Sequence, residues 1–203
     1  MEKIVVKTAV KTVLIILGIL AVVFAIFNFA FPQHMATATE SLGNYDLAVK
    51  YASLRYHYTN DCHDLARCFD DSVLLGNDKY ILQYGDELVA HRDYEDVCED
   101  RNALYGGGYD YNRRVNSKRA VAMYNTGKGA EGIDLAAQLN GTTSFVMGNP
   151  LMSLAALIRT NQDGEGAKLM KDKLERINPA EQKEKDYLTE VKAAMNGLAA
   201  TVK

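Results

Sequence analysis

The run TVLIILGILAVVFAIFNFAF, from Thr12 to Phe31, carries no charge over twenty residues. At about 1.5 Å per residue a helix of that length covers about 30 Å, the hydrocarbon thickness of a bilayer. A buried core helix rarely stays apolar on every face for so long. A cleavable signal normally has a shorter apolar region, about 7–15 residues. The small residues Ala36–Ala38 keep a cleaved signal open as the alternative, and the reading adopted is an uncleaved anchor over 12–31.

Lys3, Lys7 and Lys11 precede the run, and the next Lys or Arg is Lys50. The excess of positive charge before the span predicts a cytoplasmic segment over 1–11 and an extracytoplasmic body over 32–203. No second apolar run of spanning length occurs, so a single crossing is expected. The whole chain has a net charge of −3. With three Lys and one Glu before Phe31, the remainder holds 20 basic and 25 acidic residues, a balance that argues against a broad nucleic-acid footprint.

The body reads as all-α. Tyr45, Ala48, Val49, Ala52 and Tyr56 recur at helical spacing, as do Leu65, Cys68, Phe69 and Ser72, then Tyr80, Ile81, Tyr84 and Leu88, then Tyr94, Val97, Cys98 and Tyr105. Pro32 is expected to end the span and open a short connector, with helix from Thr37 onward. Gly43 and Gly76 fall between consecutive helices, where a left-handed residue is expected. YGGGYDYNRR, Tyr105–Arg114, reads as a loop, because glycine is costly inside a helix. Short helical patterns follow at Ser117–Tyr124 and Gly132–Leu139, and Asn140–Ser144 reads as a turn. Asn149-Pro150 is a cap followed by proline at the first helical position. Asn178-Pro179 repeats that pattern, with Glu181 placed for a capping box. Between them, Leu151, Leu154, Ala155 and Ile158 form one apolar stripe and Ala167, Met170, Leu174 and Ile177 the next; Tyr187, Val191, Ala194, Leu198 and Val202 line a final helix.

LGNYDLAVKY (Leu42–Tyr51) and LGNDKYILQY (Leu75–Tyr84) lie 33 residues apart and share their opening and their last tyrosine. GNYDLAVKYA resembles the start of the second helix of a tetratricopeptide repeat, whose period is about 34 residues. Ala155, Ala167 and Pro179 resemble the small residues and the closing proline of such a repeat. The resemblance covers 36–94 and 149–202. It departs from the family in having no Trp, in placing Tyr80 and Ile81 where a small residue belongs, and in the middle of the chain, where 105–144 holds no recognisable repeat. It implies an array of antiparallel helix hairpins whose groove receives a peptide or protein; an irregular helical bundle is the alternative.

Chemistry-bearing motifs are sparse. Cys62, His63, His91 and Cys98 offer the ligand types of zinc or copper, which makes an envelope metal protein or enzyme the second reading. Cys62 and Cys68 lie about 240° apart around a helix and cannot both face one ion from it. The three cysteines read as small buried residues. Gly106–Gly108 follows a helix and lacks the Lys-Ser/Thr of a phosphate loop. Asp70-Asp71 and Glu99-Asp100 read as solvated faces. No cofactor is implied.

Tyrosine is abundant, twelve against six Phe. Tyr is a common interface residue, with a large contact area and a polar end, though core tyrosines give the same count. Tyr105, Tyr109, Tyr111, Arg113 and Arg114 are therefore expected to form an exposed contact loop, with Tyr51, Tyr58 and Tyr84 as a second candidate surface in the repeat groove. The function expected is non-enzymatic: a scaffold or accessory subunit that binds another protein or peptide of a membrane assembly.

Overall fold

A computed structural model describes residues 2–139, 149–179 and 181–202. Among them the chain forms eleven helices and no strand: α1 (Glu2–Ala30), α2 (Pro32–Ser41), α3 (Tyr45–Thr59), α4 (Cys62–Leu75), α5 (Asp78–Val89), α6 (Tyr94–Tyr105), α7 (Tyr111–Asn125), α8 (Gly129–Gln138), α9 (Pro150–Asn161), α10 (Gly164–Leu174) and α11 (Gln182–Ala199). The turn expected at Asn140–Ser144 lies outside the described residues.

In α1 every side chain from Val10 to Phe27 is exposed, and the helix is long and apolar enough to cross a membrane. A signal sequence shares that character. The chain divides into two compact units, with the boundary between Asp71 and Ser72 inside α4.

In the first unit α2 packs along α3, and α1 meets α2. The packing faces are narrow because the residues are small: Ala36 of α2 and Ala48 and Ala52 of α3 are buried, beside Val49. α4 is tied in by polar contacts. Arg67 bridges to Glu40 and Thr37 on α2, and Asp64 accepts from both Arg55 and Thr59 of α3.

In the second unit α7 is central, packed against α5, α6, α8 and α9, while α9, α10 and α11 close around one another. Its core is aliphatic, built from Ile133, Leu151, Leu154, Ile158, Met170, Leu174 and Met195. The ion pairs at its surface, such as Arg119–Asp86 and Lys173–Asp134, each contribute about 0–1 kcal/mol. Burial of the apolar side chains, at about 25 cal/mol per Å², stabilises the unit far more.

One joint is used four times. It connects α2 to α3, α4 to α5, α7 to α8 and α9 to α10. In each, one residue takes a left-handed conformation: Gly43, Gly76, Gly127 and Gln162, with φ of 70°, 70°, 88° and 52°. The following N–H then reaches back five residues: Asn44 to Thr39 O (2.8 Å), Asn77 to Ser72 O (3.2 Å), Lys128 to Met123 O (2.8 Å) and Asp163 to Ile158 O (3.0 Å). This is the Schellman closure of a helix. The residue that completes it is also the cap of the next helix. Asn44 accepts from Leu47 N, Asn77 from Tyr80 N and Asp163 from Gly166 N. A helix thus ends and its successor begins with two or three residues between them.

Seven residues before and five after each left-handed residue stand Ala36 and Ala48, Phe69 and Ile81, Ala120 and Gly132, Ala155 and Ala167, all buried. At Gly132 the approach is so close that a Cβ would lie 2.5 Å from the carbonyl oxygen of Ala120.

Several expectations need correction. Pro32 starts a helix directly instead of a connector, because proline at the first helical position loses no hydrogen bond. The loop expected over Tyr105–Arg114 shrinks to Gly106–Asp110, since Asp110 caps α7 through Arg113 N (2.9 Å) and helix begins at Tyr111. Asn178 and Pro179 do not open α11, which begins at Gln182 after Glu181, with no side-chain cap bond. Ile177 and Pro179 are buried, so this stretch is held by packing in a conformation that does not start a helix.

Candidate functional site

The tyrosine segment is a built corner. Gly106, Gly107 and Gly108 all have positive φ (61°, 60°, 81°), a path that only glycine takes cheaply. That path folds Tyr109 back over the end of α6. Its ring centroid lies 4.7 Å from Tyr105 and 6.5 Å from Tyr111. Asn102 fastens the corner from beneath: its side-chain oxygen accepts from Tyr111 N (2.8 Å) and its carbonyl from Gly106 N (2.9 Å). The Arg101 guanidinium sits 5.6 Å from the centre of the Tyr111 ring, within cation–π range.

The expected contact residues separate by burial. Tyr105 is 58% exposed; Tyr109, Arg113 and Arg114 are half-buried, with Arg114 donating to the Tyr109 hydroxyl at 3.5 Å. Tyr111 is fully buried. Its expected exposure is wrong, because the corner turns its ring inward under Tyr109. Leu104, missed in the sequence, is 72% exposed beside Tyr105. In the first unit Tyr58 is 66% exposed and Tyr51 half-buried. In the second, Tyr84 is buried, with its ring 6.0 Å from that of Tyr80. Tyr84 is thus a packing residue.

The Cys and His residues do not converge. Cys62, Cys68 and Cys98 are all buried. Cys62 and His63 belong to the first unit, His91 and Cys98 to the second. Among the described residues no three His, Cys, Asp or Glu side chains are grouped to share an ion. His91 Nδ1 accepts from Asp93 N (3.2 Å) in the turn after α5. Burial pushes the Cys98 thiol up, with Tyr94 hydrogen-bonded beside it. A raised thiol is a poor nucleophile at neutral pH.

One chemistry-bearing group escaped the sequence. Asp71, expected on a solvated face, is 3% exposed. Its Oδ2 is buried and accepts no hydrogen bond. Burial, followed by the charge of Glu40 and a hydrogen bond shared with it, pushes the carboxyl up to about 7, against the opposing pull of Arg67. The only prior sign was Asp71 standing one residue before Ser72, within an apolar stripe.

Comparison with protein-family models, curated proteins and solved structures returns no significant match for the chain.

Proposed function

We propose that the chain is a membrane-anchored, tetratricopeptide-like binding module. Residues 12–31 are the anchor, residues 1–11 lie in the cytoplasm, and the helical body over 32–203 lies on the outer side. There it acts as a non-enzymatic scaffold for a protein or peptide of a membrane assembly. One observation carries the reading: the same tight joint occurs four times, flanked in three cases by small residues twelve apart, Ala36/Ala48, Ala120/Gly132 and Ala155/Ala167. That spacing supports hairpins of like geometry, the building block of helical-repeat binding modules. The lysines before the span support the orientation.

The contact surface is Leu104, Tyr105 and Tyr109, with Arg113 and Arg114 at its edge. Large apolar area beside tyrosine and arginine is the composition of interface hot spots. A photo-crosslinking residue at Tyr105, in membranes of cells expressing the full chain, is expected to trap one discrete protein adduct. The same residue at Asp172, on an exposed face of α10, is expected to trap none. Equal labelling from both positions, or none from either, would remove this surface as the binding site.

A further inference from the structure

Where the span ends, α1, α2 and α3 line an open cleft of about 300 Å³ within the first unit. Phe29 and Phe31 form its apolar wall, Gln33 and His34 enter from the first turn of α2, and Arg55 and Tyr58 come from the last turns of α3. No acidic side chain is among these lining residues, while Asp64 stands behind Arg55 and offsets part of its charge.

We propose that this pocket holds the phosphate of a phospholipid headgroup, with Arg55 as the principal donor. The inference rests on α1 being a membrane anchor. Depth comes first. A bilayer is about 30 Å of hydrocarbon inside about 40–45 Å overall, so each headgroup layer is about 5–8 Å thick. Phe29 and Phe31 are the last apolar residues of the span over 12–31, so the pocket lies where the chain leaves the apolar run. Side-chain character agrees: Tyr58 is 66% exposed, and tyrosine, with its polar end, favours the interface. Chemistry points the same way. Asp64 pairs with Arg55 Nε at 2.9 Å and fixes the plane of the guanidinium. A held fork suits phosphate, where arginine binds two oxygens at once. A soluble phosphate ester offers the same anion, but the phenylalanine wall is continuous with the span and favours one that carries acyl chains.

The test uses the full chain in non-ionic detergent, read by native mass spectrometry with two lipids of matched tails: phosphatidylglycerol and a phosphate-free diacylglycerol glycoside. One retained phosphatidylglycerol per chain is expected. Arg55→Gln should lower that retention about tenfold, Arg55→Lys should lower it less, and Arg159→Gln, on an exposed face elsewhere, should leave it unchanged. If Arg55→Gln does not fold, His34→Leu serves instead, with a severalfold loss. Equal retention of the glycoside, or no loss in either variant, overturns the proposal. Displacement of the lipid by millimolar glycerol phosphate also overturns it, by assigning the site to a soluble ester. Flotation with phosphatidylglycerol vesicles separates the failures. A chain that stays in the aqueous phase defeats anchor and pocket together; one that floats but shows no Arg55 dependence defeats the pocket alone.

Discussion

Asp71 and Tyr111 are the two residues whose surroundings depart most from their chemical type. Asp71 keeps its proton up to about pH 7 in the folded chain, whereas an unfolded aspartate releases it near 4. The folded state therefore binds more proton between these limits, and stability falls as pH rises from about 4 to about 7, then levels. Asp71→Asn should flatten this part of the profile and raise Tm at pH 8 relative to the wild type. Melting curves at pH 5 and pH 8 check it, and parallel slopes in the two proteins would refute the assignment. At the tyrosine corner, Tyr111→Ala should cost about 3–5 kcal/mol, as for other buried aromatics. Tyr105→Ala, exposed, should stay within about 0.5 kcal/mol. Urea titration of both variants distinguishes a core ring from a surface one. Neither burial was legible beforehand. An aspartate next to another aspartate reads as solvated, and a tyrosine after three glycines reads as loop, because the cause of burial in both cases is a neighbouring helix.

The helices themselves were largely readable, because amphipathic spacing is a local property. Gly43 and Gly76 were readable as joints for the same reason: only glycine adopts a left-handed turn without strain. The other two joints were hidden. Gln162 gives no warning of positive φ, and Gly127 stands in a segment without Leu-Gly-Asn. The distance from Ala120 to Ala155, 35 residues, matches that from Gly132 to Ala167 and was the available signal. Two substitutions probe the shared geometry. Ala48→Leu forces added volume between α2 and α3, and Gly132→Ala sets a methyl group against the Ala120 carbonyl. Each should cost about 1–3 kcal/mol, or several degrees of Tm. Gln162→Gly, in contrast, should raise Tm, since a side chain in the left-handed region costs about 1–2 kcal/mol. Thermal melts of the three variants in parallel are the check; a Tm unmoved by Ala48→Leu would show that α2 and α3 have room between them.

For the molecule as a whole, the uncharged run of α1 was the plainest signal, and the proposed orientation rests on three lysines. A cysteine at Lys183, exposed beside the start of α11, should react with a membrane-impermeant maleimide on intact cells, while the unsubstituted chain, with its three buried cysteines, should not. Protection of that cysteine until the membrane is opened would reverse the topology. The four short joints also bear on biogenesis. Pairing between sequence neighbours closes loops at little entropic cost and so folds fast. Synthesis delivers about 5–20 residues per second, amino end first. On the proposed topology, α2 and α3 have the whole of their joint as soon as Thr59 emerges, and the α7–α8 and α9–α10 pairs close without waiting for distant sequence, whereas α5 waits for α7. If the body is exported as proposed, translocation and folding of these pairs proceed in step, leaving little apolar chain exposed between them.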